Sequence, residues 1–144
     1  MLFFRVCKDM GRQIHELGLK WLLFCIGLML CLYNFGQTRE EVYNELVKEG
    51  VKHPDIVLAQ SLLETGNYKC TGCSKDVNNL FGFFYKGKYL KFDTWQESVQ
   101  YYSRWQQKLY KGGDYYDFLK RVGYATDPEY NKKLKSMVKG KLKT

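Results

Sequence analysis

The sequence predicts an α+β domain in which helices dominate, about five of them, with one small β-hairpin after a central helix. Two observations carry this reading. Helix-opening signals stand ahead of apolar residues at helical spacing along most of residues 38–138, and a single pair of short aromatic runs has strand character. Thr38-Arg39-Glu40-Glu41 has the form of a capping box; Val42, Leu46 and Val47 supply the apolar face behind it, and Gly50 stops the helix. His53-Pro54-Asp55 opens a second helix, with Pro in the first turn, where its missing N–H costs nothing. From Ile56 to Leu63 this helix is apolar around most of its circumference, so it should run through the core and bring Glu64 to its end before Gly66. Residues 67–80 have no period and read as a loop. Phe81 to Tyr85 and Tyr89 to Phe92 then read as strands around Lys86-Gly87-Lys88. Thr94-Trp95-Gln96-Glu97 forms a second capping box, and Trp95, Val99, Tyr102 and Leu109 follow at helical spacing up to Gly112-Gly113. Asp114 caps a short helix through Phe118 and Leu119 that Gly123 closes, and Asp127-Pro128 starts a last one with Tyr130, Leu134 and Met137 on one face.

At 144 residues the chain has room for one domain. Aromatics at 17% and only two prolines favour a packed globule over a disordered chain. Residues 1–36 read differently. A mixed basic stretch (Arg5, Lys8, Arg12, Lys20) leads into the apolar run Trp21 to Phe35, the layout of an export signal cleaved after Gly36. The alternative is an uncleaved anchor, because Leu17 to Leu19 extend the run toward the roughly 17–25 residues of a spanning helix. A lipid anchor at Cys31 fits less well, since bulky Leu30 precedes it. Either way residues 37–144 face outward, in the periplasm, the envelope or the medium, and touch membrane only through an uncleaved leader.

Without residues 1–36 the domain keeps 19 basic against 13 acidic residues, a net charge near +6 that favours polyanions in general and selects none. The lysines crowd only at Lys132 to Lys143, and no organised basic stripe argues for nucleic acid. Cys70 and Cys73 alone remain of the five cysteines. Zinc wants four ligands and His53 is the one histidine left, so a local disulfide or two loop thiols is favoured over a metal.

Glu64 is the residue with chemical promise. Burial at the end of an apolar helix and the negative end of the helix dipole both disfavour its charged form, which is what a general acid for a leaving sugar oxygen requires. The pattern alone leaves open a Glu that merely reaches solvent past Gly66.

Three motifs narrow this: Ala59-Gln60-Ser61-Leu62-Leu63-Glu64-Thr65-Gly66, Asn78-Asn79-Leu80-Phe81-Gly82, and Gly123-Tyr124-Ala125-Thr126-Asp127-Pro128-Glu129-Tyr130. In content, order and spacing they closely resemble the glucosaminidase family of bacterial cell-wall hydrolases, glycoside hydrolase family 73, over about residues 40–138. The same domain family bears the name mannosyl-glycoprotein endo-β-N-acetylglucosaminidase. The resemblance implies a lysozyme-like fold and hydrolysis of the β-1,4 bond after N-acetylglucosamine in the peptidoglycan glycan strand. It implies Glu64 as catalytic acid, Tyr124 as active-site tyrosine, and Asn79, Leu80, Phe81 and Gly82 as the floor of the cleft. Phe83, Phe84, Tyr85 and Tyr89 could stack on sugars, although packing within the hairpin is the better reading for most of them. No cofactor is implied, and a monomer acting on the glycan strand is expected.

One departure stands out. Many members carry a second carboxylate in a longer β-lobe, whereas Gly82 to Phe92 contains neither Asp nor Glu. Asp93, Glu97 and Asp127 are explained as caps or capping-box partners, and Asp76 has no such explanation, which leaves Asp76 and Asp93 as candidate second carboxylates. The substrate's own N-acetyl oxygen is the alternative nucleophile. An N-acetylmuramidase and a glycan-binding module without catalysis are the competing functions.

Overall fold

A computed structural model describes residues 37–141; the expected export segment and Cys31 lie outside the described residues. Five helices and one two-stranded antiparallel sheet make up the described chain, as the sequence predicts. Helix α1 (Arg39–Lys48) opens on a complete capping box: the Thr38 hydroxyl accepts the Glu41 amide at 3.2 Å, and the Glu41 carboxylate accepts the Thr38 amide at 2.8 Å. Val42 and Leu46 bury fully, but Val47, expected on the same face, is 53% exposed. Val47 follows Leu46 directly, so it lies about 100° around the helix and off the buried stripe.

Helix α2 (Pro54–Glu64) is the centre of the domain: every residue from Val57 to Leu62 is buried, the polar Gln60 and Ser61 included. Helix α1 packs against α2 and α3 (Trp95–Leu109), while α5 (Tyr130–Lys141) packs against both α2 and α4 (Tyr115–Arg121). Phe81, Tyr102, Tyr115, Phe118 and Leu134 fill the space between them.

The stretch expected as a plain loop contains a 3-10 turn at Ser74–Val77 and is closed by a Cys70–Cys73 disulfide, one of the two arrangements that the sequence left open for that pair. The hairpin is shorter than expected. Strands β1 (Phe84–Tyr85) and β2 (Lys88–Tyr89) pair Phe84 with Tyr89 and Tyr85 with Lys88, so Lys88 belongs to a strand and the turn has two residues. Lys86 and Gly87 both have positive φ, 48° and 84°, the backbone of the tight hairpin turn whose twist matches the strands. Phe84 and Tyr85 are each 61% exposed and Tyr89 44%, so packing claims only Phe83 of the four hairpin aromatics.

The second capping box closes differently from its prediction. Thr94 accepts the Glu97 amide at 3.3 Å, yet the Glu97 carboxylate accepts the amide of Asp93, one residue before the cap, at 3.0 Å. Asp114 caps α4 through the Asp117 amide at 2.9 Å, as expected. Asp127 accepts the Glu129 amide at 2.9 Å, and regular helix begins three residues later, at Tyr130.

Candidate active site

Glu64 is the last residue of α2, half-buried, with its side chain between α5 and the backbone at Gly82. Its Oε1 accepts a hydrogen bond of 2.8 Å from the Tyr130 hydroxyl. Its Oε2 lies against Gly82, where an added Cβ would sit 2.7 Å away. Gly82 has φ +66°, so the turn needs glycine for its backbone conformation and the carboxylate needs it for space. Burial raises the Glu64 pKa above the ordinary carboxylate value, and the Tyr130 hydrogen bond opposes this with smaller weight.

Glu64 and Tyr124 share an open depression of about 360 Å³ whose other polar lining includes Asp127, Tyr130 and Lys133. The Tyr124 hydroxyl donates to the Phe81 carbonyl at 2.7 Å, and burial holds its pKa well above the ordinary phenol value. With its proton used in this way, the Tyr124 oxygen is an acceptor toward anything that enters.

The residues expected on the cleft floor divide sharply. Gly82 touches the acid, but the side chains of Asn79, Leu80 and Phe81 are buried, with exposures of 0%, 0% and 2%. The Asn79 amide donates to the carbonyls of Phe83 (2.8 Å) and Leu90 (3.0 Å), and its oxygen accepts the Phe83 amide (3.1 Å). Its hydrogen-bonding capacity goes to tying the hairpin down, which corrects the expectation that this side chain faces a sugar. Leu80 and Phe81 are core residues, and Phe81 reaches the site only through the carbonyl that holds Tyr124.

Neither candidate second carboxylate lines the depression. Asp76 accepts the Gly72 amide at 2.6 Å and so braces the disulfide-closed loop, a structural task that the sequence does not reveal. Asp93 is exposed where the hairpin meets α3; its carbonyl accepts from Asn78 at 2.9 Å and its amide donates to Glu97. The carboxylate that does line the depression beside Glu64 is Asp127, set aside in the sequence as a cap. It caps and pairs at once: Lys133 Nζ stands 2.6 Å from Oδ2, and that hydrogen bond, with the Glu129 amide, holds its pKa below the usual carboxylate range.

Tyr130 is the residue of the candidate site that sequence reasoning missed. It sits in the third motif, but its place on the apolar face of α5 reads as packing, and nothing local signals that its hydroxyl reaches across to α2. A tyrosine at the start of a helix that packs on the acid's helix was the available clue.

The Glucosaminidase family model, described as mannosyl-glycoprotein endo-beta-N-acetylglucosaminidase, matches residues 39–142. The chain belongs to the glucosaminidase family. The match spans all five helices and the hairpin, so the glucosaminidase domain is a glycosidase domain with Glu64, Gly82, Tyr124 and Tyr130 all inside it. Neither the curated proteins nor the solved structures hold a match to the chain. Among the described residues of this domain no cluster of His, Cys, Asp and Glu could hold a metal ion.

Proposed function

We propose that the glucosaminidase domain cleaves the β-1,4 bond after N-acetylglucosamine in peptidoglycan, with Glu64 as general acid. The observation that carries this reading is a carboxyl group whose burial favours its protonated form, at the edge of an open depression, with one oxygen held by Tyr130. Such an acid delivers its proton to the glycosidic oxygen as the bond to the anomeric carbon breaks.

Among the described residues the depression contains one other carboxylate, Asp127, which is ion-paired and a weak base. This favours attack by the substrate's own acetamido oxygen. That oxygen displaces the leaving sugar, which takes the Glu64 proton; water then opens the cyclic intermediate and returns a proton to Glu64. In this scheme the Tyr124 oxygen accepts the acetamido N–H and turns the acetyl oxygen toward the anomeric carbon. Ionised Asp127 favours the positive charge that develops.

The depression adjoins an open groove of about 800 Å³ with which it shares Ala125, Thr126, Asp127 and Tyr130. Lys120, Lys132, Lys135 and Lys139 line that groove, a charge suited to the carboxylates on the peptide branches of a wall strand. Residues 1–36 would deliver the domain to that polymer as an export signal, and N-terminal sequencing of the mature protein tests this: a start at Gln37 is expected and retained Met1 refutes cleavage.

The decisive experiment digests borohydride-reduced peptidoglycan with the purified full chain and with Glu64→Gln, then reduces the fragments again for mass spectrometry. New N-acetylglucosamine ends that fall about 1,000-fold in the variant are expected. New N-acetylmuramic acid ends would mean a muramidase instead. If the folded parent releases nothing from wall or from chitin oligomers, the domain binds glycan without cutting it.

A further inference from the structure

Behind Glu64 the core is polar in an ordered way. The Gln106 amide donates to the Tyr115 hydroxyl at 2.7 Å, the Tyr115 and Tyr102 hydroxyls are 2.7 Å apart, and Tyr102 donates to Gln60 Oε1 at 2.7 Å. Because Tyr102 spends its proton on Gln60, the proton between the two phenols comes from Tyr115. Every link then points the same way, from α4 and α3 toward α2. At the far end Tyr130 donates to Glu64.

One atom is left over. Gln60 is fully buried, and its Nε2 is the buried side-chain nitrogen or oxygen without a hydrogen-bond partner among the described residues. Gln60 stands one turn before Glu64 on the same face of α2, the face on which the Tyr130 hydroxyl reaches Glu64; with Oε1 held by Tyr102, Nε2 is left outside hydrogen-bonding geometry, and the Gln60 side chain works against the upward push of burial on the Tyr130 pKa. An unpaired buried donor is costly to keep, and closing on the Tyr130 oxygen would satisfy it.

We propose that Gln60 is a positioning residue that acts through Tyr130: its buried amide takes up the Tyr130 lone pair, so the Tyr130 proton stays committed to Glu64 and holds the carboxylate once its proton has gone to the leaving group. The bond tightens as charge appears on Glu64, because a phenol that donates to a carboxylate becomes a better acceptor. The groups facing Glu64 and Tyr130 are Tyr124, Asp127 and Lys133 at the depression and Tyr102 and Tyr115 in the core. Replacing Gln60 leaves Tyr124, Asp127 and Lys133 in place and takes from Tyr102 its acceptor, which the Tyr102→Phe variant tests separately.

The inference deepens the reading of Glu64 as the acid, and its main test needs no activity. The Glu64 side-chain carboxyl is titrated by carbon-13 NMR in the full chain, in Gln60→Leu, in Tyr130→Phe and in the double variant. Loss of the Gln60 amide weakens Tyr130 as a donor to the carboxylate, so the Glu64 titration moves to higher pH in Gln60→Leu, further in Tyr130→Phe, and no further in the double variant. A purely structural role for Gln60 lowers Tm and leaves the titration where it was, and that result overturns the proposal, as does a shift that adds fully to that of Tyr130→Phe. If Gln60→Leu does not fold, Tyr102→Phe frees Oε1 and must move the titration in the same direction; an unmoved titration there is equally fatal. In the kinetic arm kcat of Gln60→Leu falls about tenfold, as for loss of one hydrogen bond behind a charged group, and the alkaline limb of its pH profile moves up. A chain that cuts no glycan defeats the proposed function while the titration still judges Gln60.

Discussion

The two sides of Glu64 are built on opposite plans. Behind it, Gln60, Tyr102, Tyr115 and Gln106 are buried and joined by hydrogen bonds that span α2, α3 and α4. In front, the hairpin has two residues per strand and turns Phe84, Tyr85 and Tyr89 outward. The difference teaches that the chain spends its buried polar groups on one another behind Glu64 and leaves its aromatic rings to solvent in front of it. The join between them is Gly82, where hairpin backbone meets carboxylate, and Asn79, which binds the hairpin to the core.

Breaking the join should have the largest effect. Gly82→Ala places a methyl 2.7 Å from Glu64 Oε2 at φ +66°, so the carboxylate must swing away. Glycan cleavage is expected to drop about 100-fold, with a loss of about 1–2 kcal/mol in urea unfolding. Asn79→Ala and Phe84→Ala then compare the two sides directly. The first removes three hydrogen bonds from a fully buried amide and should cost about 2–4 kcal/mol, whereas the second removes a ring that is 61% exposed and should change stability by less than about 0.5 kcal/mol. A reversed order would mean that the hairpin, not the core, carries the stability.

The smallest effect sharpens the comparison through pH. The Glu64 pKa is raised by burial, so between the unfolded value and the folded one the native chain binds more protons than the unfolded chain. The stability tied to this group is therefore complete below the unfolded pKa and is lost as pH rises through the folded pKa. Glu64→Gln removes that loss. Its Tm should match the parent near pH 4 and exceed it by roughly 3 °C at pH 7.5, measured by calorimetry.

Much of the fold was legible in the sequence because its helices are punctuated chemically: Thr38, Pro54, Thr94 and Asp114 open helices and Gly50 and Gly123 follow their ends. Glu64 stood out for a related reason, since a carboxylate after an apolar helix has few ways to be satisfied. The hairpin was read too long because aromatic runs look alike whether they pair or pack, and Phe81 and Phe83 pack. Tyr130 and Gln60 were hidden because what sets them apart is their contacts between α2, α3 and α5, which no local pattern encodes. Asp76 and Asp127 exchanged expectations: the loop residue is a brace, and the cap stands in the depression.

The disulfide ring from Cys70 to Cys73 encloses few residues and lies in a loop, outside the buried core. Its loss would open that loop and leave the central helix in place, so the two sulfurs can serve as a passport stamp. A chain that folds in a reducing compartment would carry both thiols open to alkylation, and one that matures in an oxidising compartment would carry neither. Alkylation followed by mass measurement on protein taken from cells would thus record the route each molecule had travelled.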